Sequence, residues 1–185
     1  MAVQEFYSGK ILYPVTLALL ILSLLFGFAI LPRLFSAPGA LVDKAAPDFA
    51  LRLVANEVDS QHAGTTLSLK DLQGSAVILD FWATWCGPCQ AEAPIVNKIA
   101  QRWRDKGLVV VGVNTSDQDG RARPWALAHG ITYPIVYDDG DTAAGAYGVT
   151  SLPTLIVVSR AGKIVAVREG ITSDSDLEKL VKQAL

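Results

Sequence analysis

The run Ala76-Val77-Ile78-Leu79-Asp80-Phe81-Trp82, followed three residues later by Cys86-Gly87-Pro88-Cys89, constrains this chain more than any other stretch. So continuous an apolar run suits a central strand covered on both faces of its sheet. The cysteines then fall across the start of a helix. At spacing i, i+3 they share a helix face and lie within the short Cα separation a disulfide needs. They are the only two cysteines present, so any intramolecular disulfide joins Cys86 to Cys89.

That placement has a chemical consequence. A thiol reacts as its thiolate, and a helix N-terminus offers unpaired N–H groups and the positive end of the dipole. Cys86 sits where a sulfur anion gains most, while Cys89 lies one turn further in and is expected to be more shielded. Cys86 therefore reads as the attacking sulfur and Cys89 as the one that resolves the mixed disulfide. Pro88 suits the first turn, where a missing N–H costs nothing, and Gly87 lets another backbone approach closely. The competing reading is half of a zinc site, which needs two further ligands. His62 and His129 stand alone in loop-like contexts. Cys-x-x-Cys beside a strand–helix pattern is a redox signature, so a redox-active disulfide with no other cofactor and no metal is expected.

A formal net charge of −2 without long runs of like charge argues against nucleic-acid binding, which needs a basic surface. Ile11 to Leu31 carries no charge and is bracketed by Lys10 and Arg33. At ~1.5 Å per helical residue it could cross a hydrocarbon core of ~30 Å, so a transmembrane anchor is expected. A cleaved signal peptide is the alternative, but Phe35-Ser36-Ala37 is followed by Pro38, a poor cleavage context. Lys10 on one side and Arg33 with Lys44 on the other leave the orientation undecided by charge. The expected organisation is a tail over 1–10, the anchor over 11–31, a linker over 32–45 and one domain over 46–185.

Within that domain, Phe49 to Val54 and Thr65 to Leu67 read as strands separated by a polar turn, with a helical turn over Ser68 to Leu72. Cys86 to about Asp105 is a long helix with Ile95, Ile99, Ala100 and Trp103 on one stripe, kinked by Pro94. Leu108 to Val113 is a second buried strand. A helix entered from Ser116 to Gly120 ends near His129-Gly130, Pro134 to Tyr137 is a short strand, and Asp141 to Tyr147 a short helix. Thr154 to Ser159 and Lys163 to Glu169 form a hairpin across Ala161-Gly162. Ser173, with Asp176 three residues on, caps a terminal helix carrying Leu177, Leu180, Val181 and Ala184 on one face.

Asp80-Phe81-Trp82-Ala83-Thr84-Trp85-Cys86-Gly87-Pro88-Cys89, with Pro94 five residues beyond, resembles the active-site segment of thioredoxins. Ala46-Pro47-Asp48-Phe49-Ala50-Leu51 and Leu67-Ser68-Leu69-Lys70-Asp71-Leu72-Gln73-Gly74 resemble the opening of the TlpA/ResA/CcmG group of membrane-anchored thioredoxin-like proteins. The resemblance implies a thioredoxin-like α/β fold with an N-terminal β-hairpin extension and a central insertion around 114–147, exposed outside the cytoplasm. It implies that Asp80 is a buried acid exchanging a proton with the inner cysteine. Burial would raise its pKa into a range useful for that work, whereas an Asp at a strand end is otherwise simply paired or solvated. It implies that Pro153 is cis, leaving the backbone of Leu152 free to pair with an extended substrate; residue statistics alone favour trans. Asp117 falls where relatives carry an acid linked to thiol acidity, though it could equally cap the next helix. Group members often carry an amide where Asp80 stands. Trp85 reads as an apolar substrate contact, and Trp82, Trp103, Trp125 and His129 as structural.

Gly-Pro between the cysteines is the dipeptide of reducing thioredoxins, which sit near −270 mV against about −120 mV for the oxidant DsbA. The expected activity is reduction of disulfides in secreted or membrane proteins, with apocytochrome c or a copper-site protein as typical clients. Electrons would come from a membrane donor of the DsbD/CcdA type. Three alternatives stay open: an oxidase of the same fold, a peroxiredoxin, and a copper-handling dithiol. The peroxiredoxin reading lacks its Thr-x-x-Cys pattern, since Ala83 stands three before Cys86.

Overall fold

The computed structural model describes residues 14–24, 41–56 and 66–185. The chain divides into two units, residues 1–37 and 38–185. In the first, helix α1 covers residues 14–24, and among the described residues no helix is long and apolar enough to cross a membrane. Positions 11–13 and 25–31 of the expected anchor lie outside the described residues, as do His62 and most of the expected polar turn.

The second unit is built on a seven-stranded sheet ordered β2-β1-β5-β4-β3-β6-β7. Its strands are β1 (Ala50–Ala55), β2 (Thr66–Ser68), β3 (Ala76–Trp82), β4 (Leu108–Asn114), β5 (Ile135–Tyr137), β6 (Thr154–Val158) and β7 (Ile164–Glu169). Every residue of β3 is buried. It runs parallel to β4 and antiparallel to β6. Because side chains alternate along a strand, Ile78, Asp80 and Trp82 face one side and Val77, Leu79 and Phe81 the other. Two apolar clusters follow that division. Ile78 and Trp82 pack with both cysteines, Val96, Ile99 and Leu177; Val77, Leu79 and Phe81 pack with Phe49, Leu72 and Tyr147.

Helices α2 (Gly87–Trp103), α3 (Ala122–Ala128), α4 (Thr142–Ala146) and α5 (Asp174–Ala184) complete the unit. The buried stripe of α2 is Cys89, Glu92, Ala93, Val96, Ile99, Ala100 and Trp103; Ile95, expected on it, is only half-buried. Cys89 fixes the phase. Once it faces the sheet, steps of three and four residues select Val96 and bring Glu92 inward. Pro94 lies within α2 on an exposed face.

The turn expected over Ser116 to Gly120 leads into α3 at Ala122, with Arg121 as its N-cap residue and no side-chain cap. Ser116 is held in a left-handed conformation at φ 50°, its amide and hydroxyl both donating to Asp141. Ser173 caps α5 by accepting from the Asp176 amide at 3.2 Å. β1 and β2 pair antiparallel, as the hairpin extension requires. The central insertion is no surface appendage: its strand β5 lies parallel to β4 and antiparallel to β1, joining the opening hairpin to the core sheet. This is the thioredoxin-like α/β fold that the resemblance implied.

Candidate active site

Cys86 and Cys89 form a disulfide with a Cα separation of 5.3 Å. Cys86 is the N-cap of α2, with extended backbone at φ −83° and ψ 102°. Its sulfur accepts a hydrogen bond from the Cys89 N–H at 3.2 Å, so an otherwise unpaired helix N–H points at the Cys86 sulfur. Burial does not distinguish the two cysteines in the disulfide state, since each residue is 3% exposed. The difference expected between them lies in the hydrogen bond, which only Cys86 receives.

Gly87 and Pro88 are exposed beside the disulfide, and a Cβ on Gly87 would meet nothing in the protein itself. The room there faces outward, toward whatever docks. The Leu152–Pro153 peptide is cis, with Pro153 buried and Leu152 half-buried. Trp85 is 63% exposed and is held by its indole N–H donating to the Ser116 carbonyl at 2.8 Å. A cleft of about 310 Å³ lies between Trp85 and Leu152, walled by Ser116, Asp141, Ala144 and Val149. Trp82 lies in the core, where its ring meets Trp125 at 4.5 Å and Trp125 stacks on His129 at 4.0 Å.

The acids divide into two kinds. Asp117 is half-buried and accepts from the Thr84 amide at 2.6 Å, the Thr84 hydroxyl at 3.0 Å, Asn114 at 3.0 Å and the Gln118 amide at 2.8 Å. Burial alone would raise its pKa, but these donors together hold it below the usual carboxylate range. Asp117 thus clamps the turn that leads into Cys86, and it caps no helix, since α3 begins five residues later.

Asp80 is of the other kind. It is 4% exposed and accepts from the Tyr133 hydroxyl at 2.9 Å. Burial pushes its carboxyl up to about 6, against the opposing pull of that one hydrogen bond. Glu92, three residues beyond Cys89 and on the same helix face, is 1% exposed. Its Oε1 accepts from the Thr172 amide at 2.7 Å, and its Oε2 has no partner. Burial first, and the neighbouring Asp80 charge second, push Glu92 up to about 7, with Thr172 acting the other way. Glu92 was missed in the sequence, although a charged residue on the buried stripe one turn after Cys89 was a visible signal. Tyr133 left none, being 53 positions from Asp80. Among the described residues no group of three or more His, Cys, Asp or Glu converges as metal ligands.

A disulfide at a helix start, a cis-proline and a buried acid on the neighbouring strand together define a thioredoxin-like thiol–disulfide oxidoreductase. Residues 42–167 match the AhpC/TSA family, and the chain belongs to that family, in its ResA-like branch. It is 31% identical to the thiol–disulfide oxidoreductase ResA of Bacillus thuringiensis strain Al Hakam, over 95% of this chain and 97% of that one. ResA of Geobacillus thermodenitrificans is 32% identical over 89% and 90% of the respective chains. Among solved structures, a thiol:disulfide interchange protein of the thioredoxin family from Chlorobium tepidum superposes with TM-score 0.65 at 30% identity, over 76% of this chain and 94% of that one. A secreted thiol-disulfide isomerase from Corynebacterium glutamicum gives TM-score 0.65 at 26% identity, over 74% and 82%.

Proposed function

We propose that this oxidoreductase works as a reductase of protein disulfides outside the cytoplasm, tethered by its N-terminal apolar segment. The observation that carries the direction is the pair of acids in the core beside the disulfide. Asp80 and Glu92 both project into the side of the sheet where Cys86 and Cys89 pack, and the groups acting on them include no lysine or arginine. Negative charge in a dry core disfavours a nearby thiolate, which destabilises the dithiol form relative to the disulfide and lowers the potential.

The steps follow from the positions of the groups. The Cys86 thiolate attacks a client disulfide, forming a mixed disulfide and releasing one client thiolate. A core carboxylate takes the Cys89 proton. The Cys89 thiolate then attacks the Cys86 sulfur, closing the intramolecular disulfide and releasing the second client sulfur, which gains a proton. Two electrons pass to the client. An extended client segment would pair with the Leu152 backbone and rest on Trp85, Gly87 and Pro88.

Helix α1 exposes Val15, Leu17, Leu19, Leu20, Ile21, Leu22 and Leu24, with Thr16 and Ser23 as its polar residues and no charge, which supports a membrane tether. A reductase in an oxidising compartment needs electrons delivered across the membrane, so a donor of the DsbD/CcdA type is the expected partner, and apocytochrome c or a copper-site protein the expected client. Redox equilibrium of the full chain with glutathione, paired with insulin reduction, tests the direction. A potential near −270 mV with insulin turnover is expected; one near −120 mV would make the protein an oxidase.

A further inference from the structure

We propose that Tyr133 is a positioning residue for the resolving half of the reaction: its hydroxyl donates to Asp80 Oδ2 and makes Asp80, rather than Glu92, the carboxylate that takes the Cys89 proton. This rests on the dithiol chemistry proposed above and adds a residue to it.

The hydroxyl is delivered by a fixture built for the purpose. Tyr133 is 3% exposed, in the segment just ahead of β5. Its backbone is tied from two directions: the Asn56 amide donates to the carbonyls of Ile131 at 2.7 Å and Tyr133 at 3.1 Å, and the Gly112 N–H donates to the Pro134 carbonyl at 2.8 Å. Gly112 is also the partner of Asp80 in the β3–β4 register. A Cβ there would lie 3.0 Å from the Tyr133 ring and 3.0 Å from the Trp82 indole nitrogen. The missing side chain of Gly112 is therefore the space through which the phenol ring reaches the strand position beside it.

Two core acids compete for ionisation, and their hydrogen-bond partners differ. Asp80 on β3 has the phenol of Tyr133, whose own titration lies far above neutrality because of its burial and of both carboxylates, so it stays a donor. Glu92 on α2 has Thr172, from the loop ahead of α5, as its donor: the amide bonds Oε1, the Thr172 side chain also lowers its pKa, and Oε2 has no partner. Glu92 also feels the Asp80 charge, and Asp80 lies on the face of β3 whose Ile78 and Trp82 pack with the cysteines. Two carboxylates coupled in this way do not both ionise readily, so the donor that each receives bears on the order. With Tyr133 in place, Asp80 carries the charge and Glu92 retains its proton.

Reduced protein mixed with dithiobis(nitrobenzoate) releases thionitrobenzoate twice: first when Cys86 attacks, then when Cys89 resolves the adduct. In Tyr133→Phe the second phase should slow about tenfold near neutrality, its pH midpoint rising by about one unit, because a hydrogen bond to the charged form is lost. The first phase should not change. On an Asp80→Asn background, Tyr133→Phe should have no further effect. An unmoved midpoint in the folded variant, or equal slowing on both backgrounds, overturns the proposal. Carboxyl carbon NMR of the wild-type chain tests it even if Tyr133→Phe does not fold: Asp80 should titrate below Glu92, and the reverse order overturns it. Absence of insulin reduction by wild type would refute the reductase reading alone, since the order of titration does not depend on turnover.

Discussion

Asp117 and Asp80 are the same residue type, one bonded to Thr84 in the turn before Cys86 and the other on the strand that leads into that turn, and their surroundings drive them in opposite directions. Asp117 gathers four hydrogen bonds at the protein's edge and is held ionised. Asp80 has one, from a phenol, in a core where water cannot help. Asp141 follows Asp117: the Thr115 hydroxyl, together with Ser116, holds it low. Glu92 follows Asp80. A carboxylate with donors to spare becomes a structural clamp. One deprived of them has its pKa raised toward neutrality.

The strongest way to break this contrast is to remove the inner thiol, Cys89. Cys89→Ser should abolish insulin reduction and accumulate a mixed disulfide on Cys86, visible as a mass shift on a non-reducing gel. On that background Asp80→Asn should change nothing further in the rate of adduct formation.

Next in size is stability. The folded-state pKa values of Asp80 and Glu92 are raised above their unfolded values, so the native state binds more protons than the unfolded chain between about pH 4 and pH 7. Their contribution is fully present below the unfolded values and is lost as pH rises through the folded ones. Asp80→Asn should therefore stabilise the oxidised domain at pH 8 by up to about 3 kcal/mol, measured by urea unfolding, and by little at pH 4. The same change should slow resolution in the thionitrobenzoate assay. Gained stability with lost rate is the signature of a group kept for chemistry.

Asp117→Ala should act the other way. Losing its contacts leaves the buried side of the Thr84 turn short of an acceptor, at a cost of about 1–3 kcal/mol in the same unfolding experiment. The pH midpoint of resolution should stay where it is. Asp117 and Asp141, both with lowered values, contribute stability that is present above their unfolded pKa and lost as pH falls through the folded one. The smallest effect expected is thus a shallow loss of stability at acid pH, steepened in wild type relative to Asp117→Ala. An equal slope in both would remove Asp117 from the account.

Much of the frame was legible because its signals are local. β3 declared itself by unbroken apolarity, α5 by Ser173 and its heptad-like stripe, and the redox pair by spacing at a helix start. The turn ahead of α3 was legible, but what fixes it was not: Asp141 holds Ser116, and Thr84 holds Asp117, which caps no helix. The phase of α2 was read from Ile95, which hydropathy favours, although Cys89 dictates it. Glu92 went unread for the same reason, since a charge is assigned to water unless something shows that it faces the sheet.

The sequence by itself determined the disulfide and its helix, because two cysteines three apart after a buried strand have no other partner and one reachable geometry. Tertiary structure alone decided which acids are ionised. That depends on donors brought from 53 residues away at Tyr133 and 80 at Thr172, and on the space left at Gly112. A pKa is set by burial and by the count of nearby donors, and neither is a property of neighbours along the chain.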